Sequence, residues 1–148
     1  MTTSRAAANR EPQQERSRQT RERLLRSAIQ VLAHEGWASA TVAAVAQRAG
    51  VSRGAAQHHF PTREALISST LEQIFDDLTL NADTLVQPDV NDPRRVRMAV
   101  ERAVSIYTGT EFKASLQVWA AAASDPALRE LILPMEARFA RAAHRETV

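Results

Sequence analysis

A tight glycine turn divides residues 41–60 into two short helical segments, and this arrangement constrains the fold more than any other feature of the chain. Thr41 can cap the first segment, because its hydroxyl can accept a free backbone N–H. Gly50 allows the turn, Ser52 can cap the second segment, and Pro61 stops it. Spacing predicts that the first segment buries Val42, Val45, Ala46 and Ala49. A helix, a tight turn and a short helix rich in small and polar residues are typical of a helix-turn-helix DNA-binding motif.

Elsewhere, apolar residues recur at intervals of three and four, which predicts an all-α fold of about seven helices. A first helix begins near Arg16 and ends at Gly36, and a long helix starts near Thr62. Asp92 and Asp125 each precede a proline, and this combination marks a helix start. No segment alternates between apolar and polar residues as a strand does.

The same spacing predicts which faces of the later helices are buried. One predicted stripe consists of Val96, Val100, Ala103, Val104 and Tyr107. The stripe of the following helix consists of Phe112, Leu116, Trp119, Ala120 and Ala123. Pro134 lies within the last helix, and we expect it to kink or interrupt that helix.

Charge is divided unequally along the chain. Residues 1–63 contain ten Arg and four Glu, net +6, whereas residues 64–148 contain nine Arg or Lys and thirteen Asp or Glu, net −4; together they give the overall +2. A basic N-terminal part suits DNA phosphates, and an acidic remainder discourages wrapping of DNA around the whole molecule. We expect a disordered basic tail (1–15), a helix-turn-helix domain (16–61) and a separate helical domain (62–148), for which the resemblance described below implies a ligand-binding, regulatory role and an incomplete length.

Several classes of protein are disfavoured by the composition. The sequence has no apolar run long enough to span a membrane and no apolar core of a secretory signal near its N-terminus. It has no cysteine, which excludes disulfides and thiolate metal sites and agrees with a cytoplasmic location. No glycine-rich phosphate loop, nucleophile motif or metal-spaced cluster is present, so we expect neither an enzyme nor a bound cofactor.

Three consecutive segments resemble the TetR family of transcriptional regulators: LLRSAIQVLAHEGW, TVAAVAQRAGVS and RGAAQHHFPTREAL. The resemblance spans residues 20–71, and the acidic helical remainder is similar to the ligand-binding and dimerisation region of that family. It implies a homodimer that places two recognition helices in successive major grooves of an operator. It also implies a repressor that a small apolar effector releases from DNA, with the helix after Thr62 linking the effector pocket to the DNA reader.

The predicted DNA-contacting residues lie in and around the second short helix. Gly54 and Ala55 allow close approach of the backbone, Arg53 can donate to guanine or phosphate, and Gln57 can pair with adenine. Helix starts at threonines present free N–H groups that suit phosphate. The full set is Thr41, Ser52, Arg53, Gly54, Ala55, Gln57, His58, His59, Thr62 and Arg63. The two adjacent histidines do not predict a metal site, because neighbours on a helix point about 100° apart.

The second half contains larger side chains that could line an effector pocket, since such pockets are mostly apolar with a few polar groups. These residues are Met98, Arg102, Tyr107, Phe112, Trp119, Met135 and Phe139. An ordinary helical core would use the same residues, so both interpretations stay open.

Two features depart from the family pattern. Gln57 stands where the family usually has an aromatic residue, often a phosphate-contacting tyrosine, although an amide can still donate to a phosphate. The sequence ends at Val148, near the end of the seventh helix, whereas members typically have about nine and dimerise through the last two. The alternative is therefore a truncated helical protein without tight operator binding, which acts through heterodimers or is inactive.

Overall fold

The computed structural model describes the backbone of residues 3–83 and 92–145, and within these ranges the side chains of 13–78, 92–138, 140 and 141. The described chain forms seven α-helices and contains no strand, which confirms the predicted all-α class. The helices are α1 (Thr3–Glu35), α2 (Val42–Ala49), α3 (Arg53–His59), α4 (Arg63–Asp83), α5 (Arg95–Thr108), α6 (Thr110–Ala122) and α7 (Pro126–Arg145), with a short 3-10 turn at Trp37–Ser39.

Helix α1 is the centre of the fold, because it packs against α2, α4 and α6. Its predicted apolar stripe is buried, with Leu24, Ala28 and Leu32 at 1% exposure or less. Val31 is buried as well and completes a broad apolar surface. Each such aliphatic side chain contributes roughly 1.5–3 kcal/mol when fully buried. The helix-turn-helix and the later helices α4, α6 and α7 therefore share one core that runs along α1.

Helix α4 joins the two parts of this core. Ile67, Leu71 and Ile74, which recur at three- and four-residue intervals, are buried, and so is Leu66 beside them. Thr70 is also buried, and its hydroxyl donates to the Leu66 carbonyl at 2.7 Å, so no polar group is left unpaired there. Beyond α1, this helix packs against α7, whose buried residues are Leu128, Ile132 and Met135.

The N-terminal tail differs from the prediction, because α1 begins at Thr3 and residues 3–15 are helical. Ala, Arg, Gln and Glu, which dominate this segment, are good helix formers. Arg18 adds exposed ion pairs one turn away on either side, with Glu15 at 2.7 Å and Glu22 at 2.5 Å. Polarity and lack of apolar spacing predicted disorder, but neither prevents a helix that continues from a packed segment.

The predicted buried stripe of α5 is wrong. This helix buries none of its residues, and Val96, Val100, Val104 and Tyr107 are 75%, 56%, 55% and 64% exposed. Its partly buried residues Arg102 and Ile106 lie on another side of the helix. Spacing predicts that a helix has an apolar face, but it does not specify which element covers that face.

The predicted buried face of α6 is also wrong. The buried residues are Ala114, Ser115, Val118 and Ala122, whereas Leu116, Ala120 and Ala123 are exposed. Small residues let α6 approach α1 closely, which large aromatic side chains would prevent. Phe112 and Trp119 are therefore half-buried at the border of this contact.

The sequence predicted helix starts at Asp92-Pro93 and Asp125-Pro126, and the structure places the first of them slightly later. Helix α5 begins at Arg95, after a turn in which Asp92 Oδ1 accepts from the Arg94 backbone N–H at 2.8 Å. Asp125 caps α7 as predicted, because its Oδ1 accepts from the Leu128 N–H at 3.1 Å. Helix α7 continues through Pro134, so this proline does not interrupt it.

Candidate nucleic-acid interface

Three polar caps start the helices that would face DNA, as the sequence predicts. Thr41 Oγ1 accepts from the Ala44 N–H at 3.1 Å, and Thr62 Oγ1 accepts from the Ala65 N–H at the same distance. Ser52 Oγ accepts from the Ala55 N–H at 3.2 Å. All three caps are exposed. Each places the positive end of a helix, with its remaining free N–H groups, at the surface where a phosphate can bind.

The turn between α2 and α3 depends on Gly50. Its φ of 62° and ψ of 37° lie in the left-handed region, which favours glycine. Its N–H donates to the Gln47 carbonyl, and the Val51 N–H donates to the Ala46 carbonyl at 3.0 Å. The end of α2 is thereby satisfied by backbone groups, and α3 is set at a fixed angle to α2.

Helix α3 has one exposed face and one buried face. Ala56 is buried within it, and Phe60 directly after it is 2% exposed, so these two residues anchor it in the core. Arg53, Gly54, Gln57 and His58 are exposed, whereas Ala55 and His59 are half-buried at the flank. At 100° per residue the exposed four fall on one continuous arc. The structure therefore brings the predicted base-contacting residues together on a single surface.

Gly54 lies within this exposed face of α3. A Cβ built on Gly54 meets no atom of the chain within 4 Å. Its backbone conformation also does not require glycine, since only Gly36 and Gly50 among the described residues have positive φ. Nothing inside the described protein explains a glycine here, which costs about 1 kcal/mol relative to alanine in a helix. Close approach of another molecule to the backbone would explain it.

Three arginines contact the helix-turn-helix from neighbouring helices, and the sequence analysis did not predict the roles of the first two. Arg23 of α1 donates to the Ala49 carbonyl at 2.5 Å, at the end of α2. The guanidinium of Arg21 lies 5.2 Å from the centre of the Phe60 ring. In the sequence these two arginines indicate only a basic helix. Their partners, a backbone carbonyl and the face of a ring, lie far away in the sequence and cannot be predicted locally.

The third arginine, Arg63, was predicted to contact phosphate, but the structure turns its guanidinium inward. Arg63 Nε donates to the Ala40 carbonyl at 2.9 Å, and a terminal nitrogen donates to the Trp37 carbonyl. The guanidinium also stacks 4.0 Å from the centre of the Trp37 ring. This geometry gives the side chain a structural role that ties the start of α4 to the segment before α2.

The surroundings of His59, one of the predicted DNA contacts, lower the pKa of its ring. Partial burial lowers the pKa of His59, and the positive charges of His58 and Arg21 lower it further. Its ring lies 5.7 Å from that of His58 and 6.4 Å from that of Phe60. In the described part of the chain, no group of three or more histidines or carboxylates could hold a metal ion.

The predicted effector residues separate into three groups. Tyr107, Phe112 and Trp119 form a chain of edge-to-face rings, with centres 5.0 Å and 6.2 Å apart. Met135 belongs to the core, and Met98 is 44% exposed on α5. Arg102 is half-buried on α5, and the Phe139 side chain lies outside the described side chains.

Helix α6 connects this aromatic chain to the DNA-binding domain. Gln117 belongs to the same helix as Phe112 and Trp119, and its Oε1 accepts from the Trp37 backbone N–H at 3.4 Å. The Trp37 ring in turn packs against the guanidinium of Arg63. A displacement of α6 would therefore act directly on the segment that leads into α2.

In helix-turn-helix proteins, the second helix of the motif is exposed and enters the major groove of DNA. Helix α3 has this arrangement, which places the chain in the helix-turn-helix class. Residues 24–70 match the family model described as "Bacterial regulatory proteins, tetR family". The HTH-type transcriptional regulator CymR of Pseudomonas putida is 34% identical over 121 residues, which cover 82% of this chain and 60% of CymR. These matches assign residues 24–70 to the N-terminal segment of the TetR family. The chain spans about 60% of the length of CymR.

Two solved structures resemble the fold as well. The transcriptional regulator SCO7518 from Streptomyces coelicolor A3(2) superposes with a TM-score of 0.66 at 26% identity, covering 87% of this chain and 73% of SCO7518. The multidrug binding protein EbrR, complexed with ethidium, superposes with a TM-score of 0.57 at 26% identity. That superposition covers 76% of this chain and 66% of EbrR.

Within the described residues, no helix is both long and apolar enough to cross a membrane.

Proposed function

We propose that this protein is a transcriptional regulator that binds operator DNA as a homodimer and represses transcription until a small molecule releases it. The observation that carries the proposal is the continuous exposed face of α3, formed by Arg53, Gly54, Gln57 and His58. This face is held by a left-handed turn and by buried anchors. A major-groove reader requires both a few long donors and a rigid support. Acting on chromosomal DNA would place the protein in the cytoplasm.

Within the interface we assign different tasks to different residues. Arg53 and Gln57 would contact base edges, and His58 and His59 would contact phosphates from the end of α3. Thr41 and Thr62 would present helix N-termini to the flanking phosphates. The basic N-terminal part of the chain supports this assignment, because phosphate binding supplies most of the affinity. We assign no phosphate contact to the side chain of Arg63, since its guanidinium is occupied within the protein.

The effector would bind beside α6, next to the aromatic chain of Tyr107, Phe112 and Trp119. The likeness to EbrR, which binds ethidium, supports a small-molecule ligand for this fold. The Gln117–Trp37 contact supplies a route from the ligand to the DNA reader. Coupling of about 1–3 kcal/mol along this route would change DNA affinity roughly 5- to 150-fold.

DNA binding is tested with duplexes selected from a random-sequence pool, and affinity is then measured over a salt series. The logarithm of affinity should fall linearly with the logarithm of salt concentration, with a slope of about −0.9 for each phosphate contacted. Arg53→Ala should weaken binding to the selected duplex, whereas Arg48→Ala, an exposed arginine paired with Glu35, serves as the matched control. A slope near zero would contradict the proposal.

The homodimer requires its own measurement. Light scattering of the protein alone and with the selected duplex gives the molecular mass of each species. Two chains on a duplex with two half-sites about 34 Å apart support the proposed assembly. A strict monomer at micromolar concentration that binds no duplex tightly would favour the truncated, inactive protein instead.

A further inference from the structure

The indole of Trp119 contains a buried donor without an acceptor. Its Nε1 atom is enclosed and has no hydrogen-bond partner, and it is the one such side-chain atom in the described part of the structure. The residue as a whole is only half-buried, so part of the indole reaches the surface of the fold. Native proteins pair most buried polar groups, and an unpaired one is destabilising.

The nearest aromatic neighbour does not replace an acceptor. Phe112 meets Trp119 edge-to-face with centres 6.2 Å apart and an interplanar angle of 74°. An N–H directed at a ring face is a weak interaction compared with a hydrogen bond to oxygen. Gln117 on the same helix is already committed to the Trp37 backbone. No described side chain therefore satisfies the donor.

Helix α5, which contacts one end of this aromatic chain, can be moved at low cost. Tyr107 of α5 stacks edge-to-face on Phe112 at 5.0 Å, so α5 lies over the aromatic chain. Helix α5 buries none of its residues and packs mainly on α6. Moving it sacrifices little apolar burial, in contrast to α4 or α6. The boundary at Gly109, whose backbone is extended, separates α5 from the fixed helix α6.

From these observations we infer that the effector is a flat aromatic molecule whose ring substituent carries a hydrogen-bond acceptor for Trp119 Nε1. The ligand enters between α5 and α6, its ring stacks among Tyr107, Phe112 and Trp119, and its acceptor completes the unpaired donor. A site built in this way discriminates against an analogue that has the same shape but lacks the acceptor. Binding of this ligand does not depend on the proposed function. Only the release of DNA by the ligand rests on it.

A matched pair of probes tests the inference on the full chain without DNA. Acetophenone carries a carbonyl acceptor, and α-methylstyrene replaces that oxygen with a methylene group of similar shape. Both affinities are measured for the wild-type protein and for Trp119→Phe, which keeps an aromatic ring and removes the donor. The preference for acetophenone over α-methylstyrene should fall about three- to tenfold in the variant. Circular dichroism checks that the variant keeps its helices.

A second readout uses the wild-type protein alone. The ¹⁵N-labelled chain gives two indole N–H signals, because Trp37 and Trp119 are its two tryptophans. Acetophenone should move the Trp119 proton signal downfield, as a new hydrogen bond requires, and α-methylstyrene should not. The Trp37 signal is an internal control, and the signal missing from Trp119→Phe gives the assignment.

Three outcomes would overturn the inference: no binding of acetophenone up to its solubility limit, an unchanged probe preference in Trp119→Phe, or equal indole shifts with both probes. DNA binding is measured separately on the selected duplex. A protein that binds DNA but shows no acceptor preference loses only this inference. A protein that shows the preference but binds no DNA keeps the ligand site and loses the proposed function.

Discussion

The guanidinium of Arg63 stacks 4.0 Å from the centre of the Trp37 ring and donates to the Ala40 carbonyl at 2.9 Å. This pair joins the first turn of α4 to the segment that leads from α1 into α2. Trp37 also donates its backbone N–H to Gln117 of α6. The segment around Trp37 therefore contacts both α4, which follows the helix-turn-helix, and α6, which contains Phe112 and Trp119.

Replacing Arg63 with lysine should destabilise the protein, although the charge is kept. Lysine lacks the planar fork that stacks on Trp37 and donates to the Ala40 carbonyl at the same time. We expect the free energy of unfolding to fall by about 1–2 kcal/mol in urea titrations. Arg48→Lys is the matched control, because its ion pair with Glu35 is exposed and should change stability by less than about 0.5 kcal/mol. Equal effects of the two substitutions would contradict the structural role of Arg63.

Gly54→Ala should separate stability from DNA affinity. The new methyl group meets nothing in the chain, and alanine favours a helix, so the free energy of unfolding should rise by up to about 1 kcal/mol. On DNA the same methyl group would occupy the space where the backbone approaches the groove, so affinity for the selected duplex should fall. Thermal unfolding and fluorescence anisotropy measure the two effects. A variant that is more stable and binds DNA unchanged would show that Gly54 does not lie at the interface.

Two valines test which apolar faces support the fold. Val104 of α5 is 55% exposed, whereas Val118 of α6 is fully buried. Val104→Ala should change the free energy of unfolding by less than about 0.5 kcal/mol. Val118→Ala removes the same atoms from the core and should cost about 1–3 kcal/mol. A large loss in Val104→Ala would mean that another surface covers α5 in solution, and its dependence on protein concentration would identify a second copy as that surface.

Val104 and Val118 both lie in helices that the sequence predicts, but only the structure shows which of them is buried. The same distinction applies to the rest of the fold. The boundaries of α2 and α3 and the start of α4 follow from local signals, since caps at Thr41, Ser52 and Thr62 and the turn at Gly50 determine them. The buried stripe of α4 follows from spacing, because its neighbours cover the face that spacing indicates. Long-range contacts decide the remainder.

For α6, the close approach of α1 selected the small residues Ala114 and Ala122 over the larger Leu116 for burial. For α5, an amphipathic pattern predicted a buried face, but no described element covers it. The roles of Arg23 and Arg63 were also beyond local reasoning, because their acceptors are backbone carbonyls 23 to 27 positions away. Helix positions were thus predictable, whereas the partners of each helix were not.

His59 makes stability depend on pH in a defined direction. Burial, followed by the charges of His58 and Arg21, lowers the pKa of His59 below its ordinary value of 6.5. The unfolded chain therefore binds a proton more readily than the folded chain. As pH falls through 6.5 toward the folded pKa, this group reduces the free energy of unfolding. A phosphate close to His59 would act in the opposite direction, because it stabilises the protonated ring.

DNA binding should consequently be coupled to proton uptake at His59. As pH falls from about 8 to 6, affinity for the selected duplex should rise, by at most about tenfold per pH unit for a single group. His59→Gln keeps a polar side chain that cannot titrate, so it should remove the part of this dependence that comes from His59. His34→Gln, at the end of α1 and outside the predicted DNA set, should leave it unchanged. Fluorescence anisotropy at constant ionic strength measures the profiles. If the wild type and His59→Gln give parallel profiles, His59 does not take up the proton, and the phosphate contact assigned to it is wrong.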